Sequence, residues 1–186
     1  MIDVTEKMQR NFIVFAWNGQ VDKLQEVLSR HPEALEWKSP ENGHTALIAA
    51  VASGDMADAA TDLLLSLNAN INAQDDKGMT ALMHAATNGN ADAAKKLLAK
   101  GADTALLNHE SYTAAQLGDF KDQRWSRNIS AIIRRHDAEQ AAERQREIER
   151  CAKELTEAEA AQAHGGLLQP VSVSRPLLLK SPRGGQ

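Results

Sequence analysis

Histidines, carboxylates and a single cysteine are the residues of this chain that could serve metal binding or catalysis. His44, His84 and His109 are widely separated along the chain. Zinc sites usually contain closely spaced cysteine or histidine pairs, such as C-x2–4-C and H-x3–5-H, and no such pair accompanies these histidines. The spacing therefore predicts no metal site, and we expect no cofactor.

Catalytic motifs are also missing from the sequence. It contains no Gly-rich phosphate loop, no Gly-x-Ser-x-Gly elbow and no His-Glu-x-x-His motif. Asp75 and Asp76 lie where a tight turn is expected, and aspartates in turns commonly accept backbone N–H bonds. Cys151 is the only cysteine, and we interpret it as a small apolar residue on a helix. We therefore predict that the protein is not an enzyme.

These residues lie within a sequence that repeats itself. Residues 78–103, GMTALMHAATNGNADAAKKLLAKGAD, parallel residues 43–70, GHTALIAAVASGDMADAATDLLLSLNAN. Thr45, Thr80 and Thr113 mark the starts at nearly equal intervals. Each threonine precedes an apolar run, where its hydroxyl can cap free backbone N–H groups. The pattern predicts regularly repeated units of short helices.

Glycines and alanines support the same interpretation. Gly54 and Gly89 each follow their threonine by nine residues, and glycine tolerates the left-handed conformation that ends helices. Apolar residues make up 42% of the chain but aromatic residues only 4%. This balance favours closely packed small helices over sheets, which prefer β-branched and aromatic side chains.

The repeated segments resemble the ankyrin repeat, whose landmark is Thr-Pro-Leu-His-x-Ala and whose period is about 33 residues. The corresponding segments here are TALIAA at 45–50 and TALMHA at 80–85. Alanine replaces the usual proline in both, and Ile48 and Met83 replace the usual histidine. The resemblance covers about residues 8–136. It implies an all-α solenoid of three to four stacked helix-turn-helix units.

The domain boundaries follow from this resemblance. We place the ankyrin-repeat domain at residues 1–136, with four units at 8–37 (a degenerate repeat), about 40–74, 75–107 and 108–136. We place the two extra residues of the second repeat at the end of its second helix. Leu63 and Leu64 are expected to match Leu97 and Leu98 as its buried ridge. Asp119 to Asn128 is expected to form a loop.

The C-terminal part of the chain differs in composition. Residues 137–163 lack Pro and Gly and carry eight acidic and four basic residues, which predicts a charged Ala/Glu-rich helix. Ala141, Ile148 and Leu155 form a thin apolar stripe at seven-residue spacing. We expect the start of this helix to cap the last apolar face of the solenoid and the rest to be a solvated rod. A coiled coil with itself or with a partner is the alternative. Residues 164–186 form a Pro-containing basic tail, which we expect to be flexible, either as a binding motif or as a linker.

The resemblance also implies where a partner would bind. Ankyrin repeats usually bind through their concave side, which comprises the hairpin tips and the exposed face of each first helix. By repeat position, the candidate partner-binding residues are Trp17, Asn18, Glu41, Asn42, His44, Ser53, Asp76, Lys77, Met79, Thr87, Asn88, His109, Glu110 and Tyr112. Trp17 is either a recognition anchor or a packing residue. Trp37 and Trp125 are expected to be structural.

The leading function is therefore a protein–protein interaction module that acts as an adaptor, inhibitor or scaffold. One alternative is a secreted effector that binds a host protein and uses the tail 164–186 as its export signal. A second alternative is a structural oligomer formed through residues 137–163. The formal net charge of −4 lacks the basic excess typical of nucleic-acid binders, so no nucleic-acid partner is expected.

Localisation follows from the start of the chain and from its hydropathy. The first ten residues include Asp3 and Glu6 and lack the basic and apolar regions of a signal peptide. No apolar run approaches the roughly 20 residues that span a bilayer. We expect a monomeric cytoplasmic protein without membrane insertion. Secretion into another cell without an N-terminal signal is the alternative.

Overall fold

The computed structural model describes the chain over residues 4–120 and 124–164. Within these ranges it forms eight α-helices and short 3-10 turns at Pro32–Glu36 and Gly54–Ala57. The first compact unit ends at Ala141, and the described residues from 142 onward belong to a second one. The helices are α1 (Val4–Trp17), α2 (Val21–Arg30), α3 (Ala46–Ala52), α4 (Asp58–Ser66), α5 (Ala81–Asn88), α6 (Ala91–Ala99), α7 (Ala114–Phe120) and α8 (Arg124–His164).

The helices of the first unit pack in two rows. Helices α1, α3, α5 and α7 contact one another in series, and α2, α4 and α6 form a second series behind them. Within α1–α6, each helix of the first row also contacts the next helix along the chain. Phe12, Leu47 and Leu82 are buried at the same position of successive repeats. Stacking thus joins apolar faces that no single repeat could bury alone.

Threonine caps begin the first helix of each later repeat, as predicted. The hydroxyl of Thr45 accepts the N–H of Ile48 at 3.3 Å, and that of Thr80 accepts the N–H of Met83 at 3.3 Å. Thr113 makes the equivalent bond three residues ahead, also at 3.3 Å. These bonds satisfy backbone donors that have no partner within the helix. The helix caps predicted for Thr45 and Thr80 are therefore present.

The two extra residues of the second repeat do not lie where the sequence predicted. Gly54 and Gly89 both adopt positive φ, +79° and +77°, so the two repeats still match there. Helix α4 then begins at Asp58 and α6 at Ala91, four and two residues later. Both helices contain nine residues. The extra residues therefore form the 3-10 turn before α4, which leaves the stacked helices equal in length.

This register also changes the buried ridge of the second repeat. Leu64 and Leu65 are buried, as are Leu97 and Leu98 of the following repeat, whereas Leu63 is only partly buried. The prediction that Leu63 belongs to the ridge is therefore wrong. The observed ridge lies one residue beyond the predicted one, and one residue turns a helix position by about 100°, so Leu65 takes the buried position that was predicted for Leu63.

The predicted loop at residues 119–128 is wrong at both of its ends. Helix α7 continues to Phe120, and α8 already begins at Arg124. Ile129 and Ile133 of α8 are fully buried. They lie four residues apart on one helix face, and covering this face in the core stabilises the early start of the helix. The polar residues between them and α7 suit the exposed side of a helix as well as a loop.

Helix α8 also includes the segment that the sequence predicted as a separate helix from residue 137. Thr104 donates a 2.8 Å hydrogen bond to Asp137 within the first unit. Beyond Ala141, Ile148 and Leu155 are exposed and Cys151 is partly buried. The tail from residue 165 onward and the side chain of Trp125 lie outside the described residues. Within the described ranges, no helix has both the length and the apolar character needed to cross a membrane.

Trp37 packs as a structural residue, as its sequence position suggested. Its ring meets the buried ring of Phe12 edge-on, with centroids 6.0 Å apart. It also lies 5.8 Å from the ring of His31. The indole therefore ties the segment after the first repeat to the core of α1.

Candidate functional site

The hairpin loops between repeats are shaped by buried polar side chains at their bases. Asp75 Oδ1 accepts the backbone N–H groups of Lys77 at 2.8 Å and Met79 at 2.9 Å. Asn108 accepts the equivalent groups of its own loop at 3.0 and 2.9 Å. Ser39 accepts one such group at 3.3 Å. These bonds hold each loop in one conformation, as the turn role predicted for Asp75 requires.

Neighbouring hairpin loops are bonded to one another through their backbones. The carbonyl of Asn42 accepts the N–H of Asp76 at 3.1 Å, and the carbonyl of Lys77 accepts the N–H of His109 at 3.0 Å. Gly78, at φ +72°, has no side chain to separate its loop from the next one. The candidate residues of the tips therefore lie on successive loops of one hydrogen-bonded row.

The candidate partner-binding residues fall into two groups by exposure. Those that are exposed are Trp17, Asn18, Glu41, Asn42, Asp76, Lys77, Asn88, His109 and Glu110. Those that are partly buried are His44, Ser53, Met79, Thr87 and Tyr112. The structure thus presents most of the predicted surface to solvent.

Several partly buried candidates also support the fold. Met79 packs against the core. Ser53 donates to the carbonyl of Ala50 at 2.8 Å. Thr87 donates to the carbonyl of Met83 at 3.1 Å. The side-chain polar groups of these two residues are therefore engaged within their own helices.

Bridges between Lys38 and Thr45 and between Gln74 and Thr80 close the first and second hairpins. Trp17 lies in a groove between α1 and the first hairpin. The side chain is 46% exposed, although residues of the next repeat lie beside it. The groove measures about 130 Å³ and is lined by Arg10, Ile13, Val14, Trp17, Ser39, Glu41, Asn42 and His44. An ion pair joins Nε of Arg10 to Oε1 of Glu41 at 2.8 Å.

Val14 is a member of this groove that the sequence analysis missed. It is as exposed as Trp17 and lies three residues before it on α1. Residues three apart share a helix face. The spacing of Val14 and Trp17 in the sequence could therefore have indicated that both belong to one apolar surface. Together they place apolar surface beside a charged rim.

A cluster of two histidines and an aspartate lies at the base of the second hairpin. Nε2 of His84 is 2.9 Å from Oδ2 of Asp75, and Nε2 of His44 is 3.3 Å from the same oxygen. The two imidazole rings are 5.1 Å apart in an edge-on arrangement. The wide spacing of His44 and His84 along the chain, on which the prediction of no metal site rests, therefore does not keep these side chains apart. Adjacent repeats bring together residues that are far apart in sequence.

The cluster lowers the pKa of two of its members, His44 and Asp75. Burial lowers the pKa of His44, and the charge of His84 adds to this effect against the opposing influence of Asp75. Burial raises the pKa of Asp75, but hydrogen bonds from His84, Met79 and Lys77 outweigh it. The pKa of Asp75 therefore lies below its ordinary value, and the carboxylate is stabilised in its charged form.

These features define an all-α repeat solenoid with preformed loops along one edge. The family model for ankyrin repeats, in three copies, matches residues 12–108. The chain therefore belongs to the ankyrin-repeat family. Proteins of this family are generally protein–protein interaction modules and typically not enzymes. The match begins within α1, in the repeat that the sequence analysis treated as degenerate.

Proposed function

We propose that the protein acts as an adaptor, inhibitor or scaffold that binds a protein partner on its concave side, anchored at the groove that contains Trp17. The observation that carries this proposal is the exposed apolar pair Val14 and Trp17. Large aromatic side chains in partly enclosed positions dominate the binding energy of many interfaces. The ion pair of Arg10 and Glu41 supplies a polar rim beside them.

The hairpin row supports the proposal because it is already ordered. Loop-to-loop backbone bonds connect Asn42 with Asp76 and Lys77 with His109. Binding therefore immobilises little backbone, and rigid surfaces lose less conformational entropy on association. The exposed side chains of these loops then provide contacts that distinguish one partner from another.

Affinity capture with matched variants tests the proposal. We expect a protein that is retained from native lysate by the wild type and lost by Trp17→Ala. The control is Leu67→Ala, which removes an apolar side chain of similar exposure, 44% against 46%, outside the groove. Circular dichroism checks that both variants keep the helical content of the wild type.

The captured protein is then purified and titrated against the same three proteins. We expect Trp17→Ala to weaken binding by roughly 30-fold or more, as for an interface hot spot worth about 2 kcal/mol. Leu67→Ala is expected to bind as the wild type does. Equal binding by all three proteins would overturn the assignment of the groove.

Self-association through residues 137–163 is a second candidate function. It is favoured by Ile148 and Leu155, which are exposed seven residues apart on α8. Sedimentation equilibrium of the wild type and of Ile148→Glu with Leu155→Glu measures it. This function is supported if the wild type is oligomeric and the double variant is monomeric. A wild type that is monomeric at micromolar concentration contradicts it.

A further inference from the structure

We propose that His44, Asp75 and His84 form a binding site for one divalent transition-metal ion, with Zn²⁺ as the ion to test first. The proposal does not depend on the partner-binding function. It concerns three residues that belong to two adjacent repeats. The sequence alone indicated no such site, because His44 and Asp75 are far apart along the chain.

The distances between the three side chains are close to those of a zinc site. Their ligand atoms all lie within 4.8 Å of one another. A tetrahedral Zn²⁺ ion with bonds of about 2.0–2.1 Å holds neighbouring ligand atoms about 3.3–3.4 Å apart. The observed separations from Oδ2 of Asp75 are 2.9 Å to His84 and 3.3 Å to His44. Small side-chain rotations therefore suffice to place an ion between them.

The carboxylate of Asp75 is oriented by the loop that carries it. Its Oδ1 accepts the N–H groups of Lys77 and Met79, so Oδ2 is directed at the two histidines. Hydrogen bonds that orient a ligand from behind are typical of protein metal sites. The Asp75 side chain is only 2% exposed, which leaves it little freedom to turn away.

The donor set selects among metals. Two imidazole nitrogens and one carboxylate oxygen suit Zn²⁺, Ni²⁺ or Cu²⁺, whereas Mg²⁺ and Ca²⁺ prefer oxygen ligands alone. Three protein ligands also leave a fourth tetrahedral position for water or another donor. The side chains of His44 and His84 are 15% and 16% exposed. An ion can therefore reach the site from the histidine side.

Calorimetric titration with zinc chloride tests the site on the whole 186-residue chain, without a tag and after treatment with a chelator. We expect one Zn²⁺ per chain. His44→Gln and His84→Gln should each weaken binding by at least about tenfold, since losing even an outer hydrogen-bonding partner of a ligand commonly costs 10–100-fold. The control is His31→Gln, because His31 also faces a carboxylate, 3.0 Å away on Glu33, outside the cluster.

Two further measurements make the result decisive. Co²⁺ in place of Zn²⁺ should produce the visible absorption bands of a four-coordinate ion in the wild type and in His31→Gln only. Zn²⁺ should also raise the melting temperature of these two proteins, because a ligand that binds the folded state stabilises it. Absence of saturable Zn²⁺ binding, or unchanged affinity in both His44→Gln and His84→Gln, would overturn the proposal. Circular dichroism confirms that each variant is folded.

Discussion

Oδ2 of Asp75 lies 2.9 Å from Nε2 of His84, and this contact joins the second hairpin loop to helix α5. The other oxygen of the same carboxylate accepts two backbone N–H groups of the loop. One buried side chain thus fixes the shape of the hairpin and its position on the helix. The stability of this part of the stack should depend strongly on it.

We expect Asp75→Ala to lower the free energy of unfolding by about 2–3 kcal/mol. Each hydrogen bond to a charged acceptor contributes about 1.5–3 kcal/mol, and the contributions of several bonds to one carboxylate are less than additive. Urea denaturation in buffer with a chelator measures the metal-free protein. The neighbouring substitution Asp76→Ala is the control, since Asp76 is exposed. It should change stability by less than about 0.5 kcal/mol. Similar losses for both variants would contradict the role of Asp75.

Comparing the stabilities of Gly78→Ala and Gly101→Ala distinguishes the cost of backbone strain from the cost of a steric clash between neighbouring loops. Both glycines have positive φ, +72° and +84°, so alanine should cost roughly 1–2 kcal/mol at each. A Cβ at Gly78 would lie 2.9 Å from the backbone nitrogen of His109, whereas nothing lies within 4 Å at Gly101. We expect Gly78→Ala to cost about 1–3 kcal/mol more, as overpacking does. Equal thermal or urea stabilities would show that the loops do not pack so closely.

Leu64→Ala and Leu63→Ala test the position of the two extra residues. Leu64 is fully buried and Leu63 only partly buried. We expect Leu64→Ala to destabilise the protein by about 2–5 kcal/mol through loss of burial and creation of a cavity, and Leu63→Ala to cost clearly less. Equilibrium unfolding in urea measures both. A larger loss of stability for Leu63→Ala than for Leu64→Ala would instead support the helix register predicted from the sequence.

Lys96 links the second helices of two adjacent repeats. Its Nζ is 2.8 Å from Asp62 and 3.6 Å from Asp58. The hydrogen bond to Asp62 raises the pKa of Lys96 above its ordinary value, against the opposing effect of burial. These groups are partly exposed, and surface ion pairs contribute at most about 1 kcal/mol. We therefore expect Lys96→Gln to lower the free energy of unfolding by at most about 1 kcal/mol at low salt, and by less at high salt.

The same variant has a defined pH dependence. A raised folded-state pKa means that the contribution of Lys96 is complete below its unfolded pKa and disappears as the pH rises through the folded value. The stability difference between wild type and Lys96→Gln should therefore be constant near neutral pH and vanish in strong alkali. Lys7→Gln, at an exposed position of α1, is the control for removing a positive charge. A difference that persists in strong alkali would contradict the ion pair.

Much of the fold was predictable because the responsible interactions are local. Thr45 and Thr80 bond to N–H groups three residues ahead, and Gly54 and Gly89 turn the chain with their own φ angles. Such features depend only on neighbouring residues, so the sequence pattern reveals them. The hairpin positions of the candidate surface were predictable for the same reason, since each lies at a constant distance from a threonine.

The predictions of secondary-structure boundaries were wrong where the local sequence was compatible with two structures. Residues near Gly54 could extend either the turn or the following helix, and the equal lengths of α4 and α6 decide for the turn. The polar segment before Ile129 suits a loop or an exposed helix face. Burial of Ile129 and Ile133 decides for the helix. In each case packing between elements outweighs a weak local preference.

The sequence by itself determined the repeat architecture, the threonine-capped starts of the first helices in the later repeats and the order of the loops, because short-range capping and apolar periodicity encode them. Only the tertiary structure decided that His44 and His84 meet at Asp75 and that Val14 and Trp17 flank a groove. These relationships cross from one repeat to the next. They depend on the offset between adjacent repeats and on the rotamer of each side chain. The spacing of residues along the chain specifies neither of these.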